Sequence, residues 1–274
     1  MIATLKREFS YQVVIAFFVY LTVWWLVLYL SGSKSGFQNL LFGAVYGTVM
    51  SGLGAFLGFR ISKYWGGLKS QMGRVIIVLA LGLLAEFFGQ VVFSVYNIFL
   101  QVEIPYPSIA DIGYFGNIPL YIYGALLLLK VSGGKINLRS ITSQIQAVVI
   151  PLLVLTGSYF LFLQTYVFDW SNPLKIFLDF GYPLGQALYI SIAILTYSLS
   201  RSYLGGIMKS KILLLLIAFA LQYIADVNFL FQSSRGTWYN GGYGDYLYLV
   251  AYFVMTFGLL QLGMSSIKVR SQVN

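Results

Sequence analysis

Apolar residues arrive in eight long runs, at roughly 11–30, 39–59, 75–99, 110–129, 145–168, 175–199, 212–232 and 244–264. About 20 such residues, rising about 1.5 Å each in a helix, cross about 30 Å of hydrocarbon. Each run therefore predicts a membrane-spanning helix, and together they predict an all-α, polytopic membrane protein in a single membrane domain. The first run is too long for an ordinary signal-peptide core. The stretch from Ser31 to Gly36 also lacks a clear A-x-A cleavage site, so that run reads as a retained span.

Polar positions inside the runs fall at helical spacing. Glu86, Gln90, Ser94 and Asn97 share one face of span three, and Gln222 and Asp226 repeat the i, i+4 pair on span seven. Asp179, Tyr182, Gln186 and Tyr189 share a face of span six. Asp111, Tyr114 and Tyr121 do so on span four, and Asp245, Tyr248 and Tyr252 on span eight. Five stripes of this kind predict polar faces turned to the bundle interior, lining an acidic, tyrosine-rich cavity that opens outward. Such a cavity suits a cation or a small polar or aromatic ligand. The structural alternative is that tyrosines form interfacial belts, Asp111 and Asp245 complement helix N-termini, and Gln–Asp pairs join helices.

The same positions reveal a duplication. Arg60-Ile-Ser-Lys-Tyr64-Trp-Gly66-Gly67 resembles Leu199-Ser-Arg-Ser-Tyr203-Leu-Gly205-Gly206 at an offset of 139. Glu86 and Asp226 stand at equal depth in spans three and seven. Asp111 with Tyr114 matches Asp245 with Tyr248, and a glycine follows ten residues later in each, Gly124 and Gly258. A four-span unit returns the chain to its starting side. The halves, about 1–136 and 137–274, are thus predicted to be parallel repeats related by an axis along the membrane normal, with any site at their interface.

Charge distribution adds orientation. Lys6, Arg7, Arg60, Lys63, Lys69, Arg74, Lys130, Lys135, Arg139, Arg201, Lys209, Lys211, Lys268 and Arg270 all fall on one side, fourteen of the seventeen basic residues. Only Lys34, Lys175 and Arg235 fall on the other. The positive-inside rule places the fourteen, and both termini, in the cytoplasm. The net charge of +9 is thus a topology signal with some attraction to lipid heads, and nucleic-acid binding is not needed to explain it.

Composition then narrows the chemistry. Without cysteine or histidine, thiolate chemistry, Cys-ligated metals and the commonest general base are excluded. No nucleophile–base pair, nucleotide loop or metal-ligand spacing appears, so no catalytic residue, cofactor or metal site is assigned. Candidate ligand-binding residues are Glu86, Gln90, Asp111, Tyr114, Asp179, Tyr182, Gln186, Gln222, Asp226, Asp245 and Tyr248. A charged carboxylate at mid-membrane costs about 2.5–3.5 kcal/mol on insertion scales. Glu86 and Asp226 are accordingly the two acids most in need of a reason. Gly43, Gly47, Ser51, Gly54 and Gly58 form a small-residue face on span two, suited to close helix packing. Pro119, Pro151 and Pro183 are expected to kink their spans.

Pro105-Tyr-Pro107-Ser108-Ile-Ala110-Asp111-Ile-Gly-Tyr114 resembles the P-x-P-S-x-A-D-x-x-Y signature of a multi-span sensor region. Asp179-Phe-Gly-Tyr182-Pro183-Leu-Gly-Gln186 resembles its second signature, D-x-x-Y-P-L-x-D, and Asp226 also fits. That region precedes GGDEF, EAL or histidine kinase domains in prokaryotic signalling proteins. Here Gln186 replaces the usual acid, and the chain stops ten residues after the last run, with no output domain. The resemblance implies a membrane input module that signals through a separate membrane or cytoplasmic protein. Two other functions fit the same residues. One is an accessory subunit of a membrane complex, with the glycines as a lipid-facing docking seam. The other is a small ion-coupled transporter with Glu86 and Asp226 as twin sites.

Overall fold

The computed structural model describes the backbone of residues 2–133, 141–200 and 206–273, and the side chains of 9–133, 141–200 and 208–263. It places eight long helices: α1 (Ile2–Leu30), α2 (Phe37–Tyr64), α3 (Gln71–Ser94), α4 (Ala110–Val131), α5 (Ile141–Ser158), α6 (Pro173–Ser200), α7 (Gly206–Ser234) and α8 (Tyr243–Val273). Each contains a segment long and apolar enough to cross a membrane. No strand occurs among the described residues. The protein is an all-α, multi-pass membrane protein.

Helix ends differ from the apolar runs for local reasons. α2 continues through Arg60 and Lys63 to Tyr64, because helical hydrogen bonding persists after the side chains turn polar. α3 starts where Ser70, in extended conformation, accepts a hydrogen bond from the Gly73 N–H at 2.9 Å. α3 and α5 both finish in π-helical turns, Val95–Phe99 and Tyr159–Leu163. Span five therefore ends at Leu163, five residues short of the sequence expectation. Pro119, Pro151 and Pro183 lie within α4, α5 and α6, each removing a backbone donor from a helix that runs on past it.

The packing forms a ring. α2 contacts α3 and α8, α4 contacts α3 and α6, and α7 contacts α6 and α8. α1 lies outside this six-helix ring against α2 and α8, and α5 lies outside against α6. Exchanging the first four helices for the last four maps the α2–α8 contact onto α6–α4, and α1–α2 onto α5–α6. α1 also packs on α8, whereas α5 makes no comparable contact with α4 among the described residues. The second copy of the duplicated connection, at 201–205, lies outside the described residues, as do the side chains of Lys6, Arg7, Glu8, Lys135, Arg139, Lys268 and Arg270.

Small residues let α2 enter the ring closely. A Cβ on Gly47 would lie 2.5 Å from the Gln90 side chain on α3, and one on Gly58 would lie 2.7 Å from the Ala80 Cβ. Gly54 is pressed from both sides, by Leu83 of α3 and Thr256 of α8. The small-residue face is buried within the chain itself and does not form a lipid-facing seam, because α3 and α8 occupy it.

Candidate functional site

Seven of the eight acids have described side chains, and five of those accept hydrogen bonds from tyrosine. Glu86 accepts from Tyr252 on α8 at 2.8 Å and from the Asn117 amide on α4 at 2.5 Å. Asp226 accepts from Tyr189 on α6 at 2.6 Å, Tyr248 on α8 at 3.0 Å and Gln222 at 3.1 Å. Phenols and amides therefore supply the stabilisation for which no Lys or Arg is available at this depth. A phenol donates one strong bond while remaining mostly apolar, so it suits a buried carboxylate in a bilayer.

These residues close a loop. Tyr248 and Tyr252 lie one turn apart on α8 with ring centroids 6.0 Å apart, and each serves a different acid. On the opposite side Tyr189 meets Tyr121 edge-on at 5.8 Å. Tyr121 lies one turn below Asn117, which returns to Glu86. Glu86 and Asp226 are thus linked through the stacked tyrosine pair of α8. Sequence position placed them at equal depth; the ring brings them into one layer.

The two acids are deeply buried, and other polar atoms on the ring helices are buried unpaired. Glu86 is 4% exposed and Asp226 7%. Asn117 Oδ1, Gln90 Oε1, Gln186 Oε1, Thr256 Oγ1 and the Tyr121 hydroxyl are all buried without a hydrogen-bond partner. Unpaired buried polar atoms are uncommon, and clusters of them call for an explanation such as a bound ion or water.

Two matching seams lead from the acidic end of the bundle to this layer. At one, Tyr182 of α6 donates to Asp111 in the first turn of α4 at 2.6 Å, while the Ser108 N–H donates to the other oxygen at 2.7 Å. At the other, Tyr46 of α2 donates to Asp245 in the first turn of α8 at 3.2 Å, and the Gly241 N–H donates at 2.7 Å. In both, the second helix of one half ties down the fourth helix of the other. The seams differ in access. Asp245 is 2% exposed beneath the connection before α8, which is held by bonds from Trp25 to the Gly242 carbonyl and from Asn39 to the Asn240 carbonyl. Asp111 and Asp179 are half-buried.

Asp179 sits at the rim of the α4–α6 seam, accepting from Tyr106 and Tyr166 at 2.8 Å each. Loss of water contact and the Asp179 carboxylate push the Tyr166 phenol up to about 12 and the Tyr106 phenol well above its ordinary value, so both remain donors at neutral pH. Nearby, Asp169 is held below the usual carboxylate range by the Ser171 hydroxyl and backbone N–H. Along α6, Asp179, Tyr182, Gln186 and Tyr189 then step inward to Asp226. Replacing Tyr182 by Phe is expected to loosen the tie between the halves at this rim by about 0.6 kcal/mol, the usual size of an interhelical hydrogen bond in a bilayer. Thermal unfolding of the variant in nanodiscs checks this, and an unchanged midpoint would contradict it.

The structure thus unites Gln222, Asp226 and Tyr248 by hydrogen bonds, links Glu86 to them through Tyr252, and places Asp111, Asp179 and Tyr182 together at the rim. Asp245 belongs to the roofed seam. Tyr114 packs its ring over Gly89. Gln90 and Gln186 are buried with free carbonyl oxygens, and Gln90 lies along Gly47. Three further residues belong to the network. Asn117 lies at i+3 from Tyr114 and i−4 from Tyr121, so its stripe could have disclosed it. Tyr46 lies between Gly43 and Gly47 on the packed face of α2, and Thr256 lies one turn past Tyr252. Thr256 extends the stripe of Asp245, Tyr248 and Tyr252, and Tyr46 lies two turns past the buried Asn39.

Fold and site together define a polytopic all-α membrane protein carrying a pair of buried, tyrosine-bound carboxylates. Compared with protein-family models, curated proteins and solved structures, the chain matches none of them. Among the described residues, no group of three or more His, Cys, Asp or Glu is placed to hold a metal ion.

Proposed function

We propose that this chain is a sensing or ligand-binding module of the cell membrane whose input is a small cation. The cation enters between α4 and α6 and is held in the Glu86–Asp226 layer. One observation carries the reading: two carboxylates are buried with phenols and amides as their donors in place of a basic side chain, and the Asn117 amide that serves Glu86 leaves its own oxygen unpartnered. A cation in that layer gains carbonyl and carboxylate ligands and removes the mutual repulsion of the acids. The half-exposed Asp111–Tyr182 pair and the rim carboxylate Asp179 supply an attractive entrance.

The response follows from connectivity. Tyr248 and Tyr252 of α8 bond to acids from different halves, so occupancy that reorients either carboxylate acts on α8. α8 continues to Val273, beyond its span, toward the end carrying most of the basic residues. By the positive-inside rule that end and both termini are cytoplasmic, and a separate protein there reads the movement.

The test is thermal unfolding of the purified chain in nanodiscs with sodium, potassium, ammonium or an organic amine. At least one is expected to raise the midpoint, since a ligand at 100 times its Kd stabilises by about 2.7 kcal/mol. Asp226→Asn is expected to remove that shift while remaining folded. If no cation shifts the wild type, or if the shift survives in Asp226→Asn, the reading is wrong. Accumulation of the same cation inside proteoliposomes would instead make the chain a transporter.

A further inference from the structure

A second feature shares no residue with the carboxylate layer. Between the π-helical end of α5 and the outer half of α7 lies a cavity of about 400 Å³, lined by Leu161, Phe162, Tyr223, Ile224, Val227 and Phe231, with Asn228 beside them. α5 meets the ring through α6, so this space opens sideways toward the bilayer. Along α7 it runs from Tyr223 to Phe231, eight residues or about 12 Å of helix. A groove of that length, apolar on its floor and sunk in hydrocarbon, matches part of one acyl chain.

Its rim has the complementary charge. Arg235, one of three basic residues at the acidic end, follows the last residue of α7 and places its guanidinium 3.6 Å from the centre of the Phe231 ring. Stacking on the ring face leaves the in-plane N–H donors free, the arrangement that grips phosphate. Arg235 is exposed, and no carboxylate among the described residues is paired with it. Gln232, one turn before Arg235, accepts a hydrogen bond at 3.3 Å from the Asn228 amide in the groove. Trp170 and Tyr243, exposed at the same end, mark the headgroup boundary.

We propose that this groove is a specific lipid site: one acyl chain of a glycerophospholipid lies along α7 between Leu161 and Val227, and Arg235 holds its phosphate. Lipid bound here buttresses α5, the helix least enclosed by the rest of the chain.

Native mass spectrometry of the full chain, released from micelles doped with phosphatidylglycerol, reads occupancy directly. The wild type is expected to retain one phospholipid. Arg235→Ala is expected to lower retention about tenfold, the effect of losing one charged hydrogen-bonding contact of about 1.4 kcal/mol. Val227→Trp fills the groove while leaving Arg235 in place, and is expected to lower retention to a similar degree. Leu161→Trp makes the same test from α5, should Val227→Trp not be recovered. A neutral diacylglycerol offered in place of the phospholipid is expected to be lost like the Arg235→Ala adduct. Unchanged retention in Arg235→Ala, or undiminished binding when the groove is filled, overturns the site.

Discussion

Gly54→Leu is expected to leave little folded protein after extraction. α2 approaches α3 and α8 at this residue so closely that a Cβ would lie 2.7 Å from Leu83 Cδ1 and overlap the Thr256 side chain. Leu83 and Thr256 are themselves fully buried, so neither has free space to move into. Overpacking of this kind costs about 1–3 kcal/mol, and more where backbone must shift on two sides at once. The effect reaches the site, because α3 carries Glu86 and α8 carries both tyrosines that serve the acids. Gly116→Leu is the matched control, since nothing lies within 4 Å of a Cβ there. Size-exclusion profiles of the two variants in mild detergent decide the matter. A monodisperse Gly54→Leu protein with the wild-type melting midpoint would show that the ring is looser than described.

Asp226→Leu is expected to be the most destabilising substitution in the polar layer, and Asp226→Asn nearly silent for stability. Leucine leaves the Tyr189 and Tyr248 hydroxyls and the Gln222 amide without their acceptor, in a region where water is scarce. Interhelical hydrogen bonds in a bilayer average about 0.6 kcal/mol and reach about 1.7, so losing those from Tyr189 and Tyr248 amounts to about 1–3 kcal/mol, with the Gln222 bond within α7 lost besides. Asparagine keeps the oxygen that accepts from Tyr248 and Gln222 and replaces the other by an NH2, to which the Tyr189 hydroxyl can turn as acceptor. Unfolding midpoints in nanodiscs separate the cases. Equal stability of Asp226→Leu and wild type would mean that the three donors contribute nothing to the fold. Marked loss in Asp226→Asn would make the negative charge itself structural.

The two seams are built alike and covered differently. Each uses an aspartate in the first turn of the fourth helix of one half, a phenol from the other half, and a backbone N–H from the preceding connection. Yet the connection before α8 covers its seam, while the one before α4 leaves Asp111 half-buried, with Tyr106 reaching to Asp179. Among the described residues, the seam beside Asp111 is therefore the more accessible of the two.

Hydropathy alone determined the eight spans, because crossing hydrocarbon demands an unbroken apolar length that nothing else in a chain of this size requires. Internal similarity likewise pointed to the pairing of Glu86 with Asp226 and of Asp111 with Asp245, since duplicated positions keep their depth. Helical spacing brought out the Gln222–Asp226 pair, found as a hydrogen bond, and the α6 stripe leading to it. The partners across helices were not legible. Tyr46 with Asp245, Asn117 with Glu86 and Tyr189 with Asp226 join residues 31 to 199 positions apart. Periodicity ranks the residues on one helix but is silent about which neighbour that helix faces. The use of the α2 glycines was equally hidden, because a small-residue face fits a foreign helix as well as α3 and α8. Only the closing of the ring decided it, by filling that face from both sides and setting two acids from separate halves within reach of one pair of tyrosines on α8.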